Sequence, residues 1–263
     1  MAISNARPGL PDPKSVVAEI PFSAPGEKMP TTEAPGAPPP RFRIIRTNEV
    51  DQYEKPPSKA SVAESVFVEA PPPGDNFKGT SRKASKLFIS DAKTEKFKDL
   101  GDLIKTFPAH KDMRKKKIAT DAKSKRVPEE NRNVRLTAFL YAASVEDDND
   151  YHLIFGRDPD AGGQEVYMTM ELSGLPPSNF KSRKALETAR KAFKKFFQTN
   201  FAGQLPGKSY DFYDPPIRVD IEGSLFWDAS HAKGSRPGPK SLRDKMPVVW
   251  EVHPIAKIKL FVP

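Results

Sequence analysis

The sequence predicts a mainly β domain with one long helix, preceded by a largely disordered N-terminal arm. Three observations support this prediction. From residue 131 onward, apolar and polar residues alternate with a period of two, which is typical of strands with one buried face. A single long stretch in this region follows a helical period instead, between residues 182 and 199. Finally, 15 of the 28 prolines fall between Pro8 and Pro73.

The proline-rich region, residues 1–80, contains few aromatic or β-branched residues. Such a segment cannot bury enough apolar area to offset the entropy lost when it orders, so we predict an extended arm. One short island, residues 41–46 (RFRIIR), alternates well enough to form a strand that docks on the domain or on a partner protein.

Residues 81–130 are predicted to form a basic linker with a short amphipathic helix. This segment holds 15 Lys and Arg against 8 Asp and Glu, and its most basic part is residues 111–126 (KDMRKKKIATDAKSKR). A run of this kind attracts nucleic acid, an anionic membrane or an acidic protein, or it simply keeps a linker solvated. Pro108 is expected to end the helix, whose apolar face comprises Phe97, Leu100, Leu103 and Ile104.

The predicted domain, residues 131–263, begins with three strands. The first covers residues 131–145, the second residues 151–155 and the third residues 165–172. The connections DDND and DPDAGG are rich in residues that favour turns, so the three strands form a meander.

The remaining elements are one helix and two strands. Ser182 is a plausible N-cap for a helix that runs to about Thr199. A fourth strand covers residues 217–223 and continues through Phe226 and Trp227, and the fifth covers residues 248–262 with a bend at Pro254. Three meander strands, a helix and two further strands follow the order of the OB-fold, a five-stranded, partly open barrel. The alternative is another small α+β sheet with the helix on one face.

Three blocks of this domain resemble a scattered group of uncharacterised bacterial proteins. The blocks are residues 148–155 (DNDYHLIF), residues 221–228 (IEGSLFWD) followed by His231, and residues 251–255 (EVHPI). Members of the group show D-G-D-Y-H-L, then G-x-x-F-F-D with a histidine soon after, and E-L-H-P-V. This chain departs from the pattern at Asn149, which suits the same turn. The resemblance spans about half the chain and implies a shared domain without an activity.

Three of the four histidines lie in these blocks. If the hairpin and the last two strands converge, His152, His231 and His253 can bind a divalent metal together with Asp150, near Asp228 and Glu251. The protein would then be a nuclease-like, metal-dependent phosphodiester hydrolase. The aspartates also match, in position only, the turn carboxylates of thermonuclease-type OB-fold nucleases. The structural alternative is a hydrogen-bonded core histidine at position 152, a strand bend fixed by His253 and ordinary turn aspartates.

The leading hypothesis is a non-enzymatic module that binds single-stranded nucleic acid by charge and aromatic stacking. Protein interaction or assembly through the proline-rich arm is a further possibility, and the sequence does not decide whether the protein is an enzyme. The predicted nucleic-acid contacts are Arg135, Phe139 and Tyr141 on one face of the first strand, and Lys115, Lys116, Lys117, Lys125 and Arg126 in the basic segment.

Composition and motifs exclude several classes of protein. The chain has no cysteine, which excludes disulfides, thiol nucleophiles and cysteine-ligated metals. It also lacks dinucleotide-binding and phosphate-loop motifs, H-E-x-x-H and G-x-S-x-G. We expect a cytoplasmic protein, because the sequence shows no signal-peptide apolar region and no stretch close to the roughly 20 apolar residues of a membrane span.

Overall fold

The computed structural model describes residues 9–22, 42–52, 54–67, 74–234 and 236–262. Within these residues the chain forms one mixed sheet of eight strands with few helices, so the prediction of a mainly β protein is confirmed. The strands are β1 (Val16–Pro21), β2 (Arg43–Thr47), β3 (Thr94–Lys96), β4 (Asn133–Val145), β5 (Tyr151–Gly156), β6 (Tyr167–Leu172), β7 (Asp211–Trp227) and β8 (Trp250–Leu260).

The strand order is β1-β2-β7-β8-β6-β5-β4-β3, and β4 also pairs with β7. The strands β4, β5, β6, β8 and β7 therefore close a ring of five. Neighbours in the ring are antiparallel, except for β6 and β8, which run parallel where Met170 pairs with Val252. This parallel contact places the last residues of β6 beside the first residues of β8.

The helices are α1 (Lys59–Phe67), α2 (Lys83–Lys86), α3 (Leu100–Ile104), α4 (His110–Lys115), α5 (Arg183–Asn200) and α6 (Lys240–Arg243), with 3-10 turns at Pro128–Glu130 and His231–Lys233. The 18-residue α5 packs Phe193 and Phe197 into the main core and contacts β8 and β6. Ser182 does not cap this helix with its side chain; its hydroxyl donates to the Leu87 carbonyl at 2.6 Å. No helix in the described ranges has the length and apolar character to span a membrane.

The N-terminal region corrects the prediction of a disordered arm over residues 1–80. Strand β2 pairs antiparallel with β7, and β1 pairs with β2, so residues 16–21 and 43–47 extend the sheet. Arg46 secures this attachment, because its guanidinium makes a buried bidentate ion pair with Asp211, at 2.9 and 2.8 Å. The rest of the predicted arm lies partly outside the described residues, at 1–8, 23–41, 53 and 68–73.

Residues 81–130 are also more than a linker. They contribute α2, β3, α3 and α4, and they bury Leu87, Leu100 and Met113. Arg82 makes a 2.5 Å ion pair with Glu130 in which both side chains are fully buried. The predicted helix is shorter than expected, since Phe97 precedes the N-cap of α3. Leu100 and Met113 belong to the main core, whereas residues 114–117 are exposed.

One predicted surface residue, Tyr141, is buried. The pairing of β4 with both β5 and β7 shifts between Leu140 and Ala142, so the alternation changes faces from Ala142 onward. Tyr141 stays on the face of Phe139, but this face is covered: Tyr141 packs in a second apolar cluster with Tyr167 and Ile154 and is only 3% exposed.

Candidate metal centre

Strands β5, β6 and β8 present polar side chains on the face that is turned away from the main core. Along β5, Leu153 and Phe155 belong to that core, whereas His152 lies on the opposite face, as the alternation of a strand requires. His152 pairs directly with Glu171 of β6. The parallel contact between β6 and β8 then brings Glu171 beside His253.

Other segments cover this face and add further charged groups. The turn between β4 and β5 supplies Glu146, Asp148 and Asp150, and α2 supplies Lys86. Asp51 comes from the segment after β2, while Asp228 and His231 follow β7. These groups form three adjoining sets of two carboxylates and one histidine, and within each set the possible ligand atoms lie within 4.8 Å of one another.

The deepest set, which we call the deep triad, consists of Asp150, Glu171 and His253. His253 Nε2 lies 3.3 Å from Asp150 Oδ2, and its Nδ1 lies 2.7 Å from Glu171 Oε2. All three side chains are almost completely buried. Despite these short distances, none of the four atoms has a hydrogen-bond partner of acceptable geometry among the described residues.

The second set, the outer triad, consists of Asp51, Glu146 and His152. His152 Nδ1 lies 2.6 Å from Glu146 Oε1 and 3.5 Å from Asp51 Oδ2, and its Nε2 lies 3.1 Å from the Thr169 hydroxyl. Asp51 is held by the Tyr210 hydroxyl, which donates to Oδ1 at 2.9 Å. Glu146 is 27% exposed, so this triad reaches the surface.

The third set is Asp228, His231 and Glu251. His231 Nδ1 contacts Asp228, which also accepts from the Ser230 backbone N–H at 2.8 Å. Glu251 is buried, and its Oε2 lies 3.5 Å from His253 Nδ1, so this carboxylate connects the third set to the deep triad.

Lys86 is the cation at the centre of these groups. Its Nζ lies 3.0 Å from Asp148 Oδ2, 3.6 Å from Asp150 Oδ2 and 4.0 Å from Glu171 Oε2. Burial alone would lower the pKa of Lys86, but the surrounding carboxylates, Glu171 foremost, raise it well above its ordinary value. Lys86 therefore stays charged.

The pKa values of the most deeply buried carboxylates in this region are raised, because burial disfavours their charge and more acids than cations are buried there. Burial raises the pKa of Glu171 to about 8 and that of Asp150 and Glu251 well above the ordinary range, although Lys86 opposes each shift. Burial lowers the pKa of His253 to about 3. Burial would also lower the pKa of His152, but Asp51 and Glu146 raise it to about 10.

The predicted metal ligands His152, His231, His253 and Asp150 all lie in this region, together with Asp228 and Glu251. The structure divides them among three sets instead of placing the three histidines in one. Sequence reasoning missed Lys86, Asp51, Glu146 and Glu171. None of the four left a signal in the sequence. Glu171 alternates with Met170 and Leu172 as a surface residue of a strand would, yet its face is also buried.

The predicted nucleic-acid residues have mixed positions. Arg135 is exposed and donates to Glu222 at 2.7 Å, while Phe139 is half-buried against the second apolar cluster. Lys115, Lys117 and Lys125 are exposed, and Lys116 pairs with Glu129 at 2.7 Å.

Two of these residues are corrected by the structure. The Tyr141 ring is buried and its hydroxyl donates to the Arg157 carbonyl at 2.9 Å, so it cannot stack on a base. Arg126 is also unavailable for nucleic acid, because its guanidinium donates to backbone carbonyls, including those of Ser85 at 2.9 Å and His253 at 2.6 Å.

A cleft of about 350 Å³ opens beside the outer triad. The charged residues that line it are four acids, Asp51, Glu54, Glu146 and Asp147, and two lysines, Lys55 and Lys208. The cleft opens the half-buried edge of the site to solvent.

Comparisons of the chain with protein-family models, with curated proteins and with solved structures gave no match.

Proposed function

We propose that this protein is a divalent-cation-dependent hydrolase of phosphodiesters, with its principal cation bound by the deep triad. The observation that supports this proposal is the group of unpartnered atoms on Asp150, Glu171 and His253. A neutral imidazole has one N–H donor and one lone pair. In His253 both ring nitrogens face carboxylate oxygens, so at least one nitrogen needs a proton or another cation between itself and its neighbour.

The spacing of the deep triad favours a metal ion over a proton. Two ligand atoms that are each about 2.1 Å from one ion, at right angles, lie about 3 Å apart. An imidazole binds a given ion through one nitrogen, so an ion would bridge only one of the two contacts of His253. The contact with Asp150, at 3.3 Å, and that with Glu171, at 2.7 Å, each have this spacing and lack hydrogen-bond geometry. Imidazole and carboxylate ligands suit Mn²⁺, Zn²⁺ and related ions.

The neighbouring groups suit hydrolysis. A bound divalent cation lowers the pKa of a coordinated water and neutralises charge on a phosphoryl oxygen. Asp228 holds Nδ1 of the 23%-exposed His231, which leaves Nε2 available to exchange a proton with a substrate or with water. The role of Asp228 is to orient this ring.

The net charge of the protein favours an anionic substrate. The chain carries a formal net charge of +9, although four acids face Lys55 and Lys208 in the cleft beside the outer triad. A phosphodiester would therefore approach this cleft only once a divalent cation offsets its acids.

We also propose that the five-strand ring is an OB-fold. Strands β4, β5 and β6 are consecutive, α5 follows them, and β7 and β8 complete the ring through the β4–β7 and β6–β8 contacts. This order supports the assignment, and OB-folds commonly bind oligonucleotides.

The test uses the full chain, stripped of metal and then supplied with Mn²⁺, Mg²⁺ or Zn²⁺, on labelled single-stranded DNA, RNA and bis(p-nitrophenyl) phosphate. We expect cleavage that depends on the cation and a loss of about 100-fold or more in Asp150→Asn. Asp102→Asn, at an exposed residue of α3, is the matched control and should keep the activity. Metal binding without cleavage of any of these substrates would overturn the hydrolase assignment and retain the metal centre.

A second candidate function is nucleic-acid binding through the basic segment. The exposed Lys115, Lys117 and Lys125 favour it, whereas the burial of Tyr141 argues against the aromatic stacking that the sequence predicted. Binding through charge alone would weaken steeply with salt. Anisotropy titrations of a labelled oligonucleotide at several salt concentrations test it, and an affinity independent of salt would refute it.

A further inference from the structure

We propose that Lys86 is a resident cation that competes with the divalent ion for the deep triad, and that metal binding displaces its ammonium group toward Asp148. This inference rests on the proposed metal centre and adds a mechanism that regulates its occupancy. The competing groups are the Lys86 ammonium group and the ion, and they compete for Asp150 Oδ2 and Glu171 Oε2.

Lys86 and His253 both lie close to the same two carboxylate oxygens. Asp150 Oδ2 lies 3.6 Å from Lys86 Nζ and 3.3 Å from His253 Nε2. Glu171 Oε2 lies 4.0 Å from Lys86 Nζ and 2.7 Å from His253 Nδ1. An ion bound to these two oxygens would therefore lie close to the ammonium group.

The ammonium group and the ion would repel each other. Two like unit charges about 4 Å apart repel strongly in a partly buried site, and a divalent ion doubles this repulsion. An ammonium group that remained in place would thus weaken metal binding strongly. Lys86 must either move or lower the affinity of the site.

A carboxylate outside the deep triad is within reach of the Lys86 side chain. Among the described residues, its one contact at hydrogen-bonding distance is with Asp148 at 3.0 Å, and Asp148 is 17% exposed. The backbone of Lys86 is held by the Ser173 hydroxyl, which donates to its carbonyl at 3.1 Å. The lysine side chain is flexible, so the ammonium can withdraw to Asp148 while α2 stays in position.

The same geometry gives Lys86 a role before metal binds. Buried carboxylates without a counter-charge are strongly destabilising. With Lys86 in place, Asp150 and Glu171 share a positive charge in the metal-free protein. Lys86 thereby stabilises the folded, metal-free site. Because its ammonium group occupies the position next to the ligand oxygens, it also lowers the affinity of the site for metal.

The experiment is a Mn²⁺ titration of the metal-stripped full chain by calorimetry, with free Mn²⁺ followed by electron paramagnetic resonance. The variants are Lys86→Met, Lys86→Arg and the control Lys191→Met, whose exposed lysine pairs with Glu187 of α5. We expect Lys86→Met to bind Mn²⁺ about tenfold more tightly or better. Lys86→Arg and Lys191→Met should remain near the wild-type affinity.

If Lys86→Met folds only with metal, its affinity is measured by chelator competition after refolding with Mn²⁺, and tighter binding still supports the inference. Asp148→Asn gives an independent test, since it removes the position to which the ammonium withdraws and should weaken Mn²⁺ binding severalfold. Wild-type binding with equal or weaker binding by Lys86→Met would overturn the role of Lys86 alone. No Mn²⁺ binding by the wild-type protein would overturn the metal centre, and the proposed function with it.

Discussion

Replacing Glu171 with Gln should stabilise the metal-free protein and destabilise the metal-loaded protein. Glu171 is almost completely buried, and burial raises its pKa to about 8, with Lys86 opposing the shift. The unfolded pKa is about 4.3, so the folded state holds a proton that the unfolded state releases. At pH 7 this difference costs the folded state about 3–4 kcal/mol.

Glutamine removes this cost and introduces an amide that needs hydrogen-bond partners, at about 1–2 kcal/mol. The net gain in the free energy of unfolding is therefore about 2 kcal/mol without metal, which corresponds to about 4–8 °C in the melting temperature. With Mn²⁺ present the order should reverse, because an amide is a poorer ligand than a carboxylate and the variant loses the stabilisation that binding supplies.

The assay is thermal and urea unfolding at pH 7 in EDTA and in excess Mn²⁺. Glu165→Gln is the matched control, because Glu165 lies just before the same strand, is partly exposed and pairs with Lys245 at 2.7 Å. It should lower the stability slightly in both conditions. If Glu171→Gln is less stable than the wild type in EDTA, the reasoning is refuted, because Lys86 then fully offsets the cost of burying the Glu171 carboxylate.

Three further predictions follow from other contacts. Arg46→Met leaves Asp211 buried and unpaired, so urea unfolding should show a loss of about 3–5 kcal/mol. The metal-stripped protein should lose stability between pH 6.5 and 8.5, and Mn²⁺ should reduce that loss. The reason is that the folded pKa values of Glu171 (about 8) and His152 (about 10) lie above their unfolded values, so the stability that their bound protons provide disappears as the pH rises. If the basic segment binds single-stranded nucleic acid, removing three charges should lower the slope of log affinity against log salt by about 2, as anisotropy titrations of one combined variant would show. That variant replaces Lys115, Lys117 and Lys125 with Ala.

The strand periodicity predicted β4, β5, β6 and β8 close to their observed positions, because each strand buries one face in the main core. The alternation in residues 41–46 also indicated a docked strand, observed as β2, but it did not show where this strand pairs. Its five residues are surrounded by proline-rich chain, and their stability comes from pairing with β7 and from the ion pair of Arg46 with Asp211. That partner lies far along the chain, so no local pattern reveals it.

Tyr141 was wrongly predicted to lie at the surface for a different reason. The alternation placed it correctly on the face of Phe139, since both residues pack in the second apolar cluster. Distant segments cover this face, among them those of Ile45 and Met246, so no local pattern reveals its burial. The bulge in β4 changes the faces only of the residues beyond it, from Ala142.

The candidate site was predictable only in part. Histidines and aspartates next to strand ends were sufficient to select His152, His253 and Asp150. Lys86 was not predictable, because it comes from a basic segment in which lysines are common and only the packing of α2 brings it to the carboxylates.

The arrangement of charge is the strongest reason to expect a cation here. A chain with a formal net charge of +9 has collected seven buried or half-buried carboxylates in one region, and Lys86 is the lysine that directly contacts three of them. Burying that many acids costs stability unless their charge is neutralised. His152 and His231 neutralise part of it through Glu146 and Asp228. In the deep triad the nearest positive charge is that of Lys86, which Asp150 and Glu171 share, and the carboxylate oxygens without a hydrogen-bond partner are those that a divalent ion would bind. If the site served only to stabilise the fold, apolar residues of similar size would stabilise it better, so the retained carboxylates favour a role that depends on binding. The carboxylates concerned are Asp51, Glu146, Asp148, Asp150, Glu171, Asp228 and Glu251.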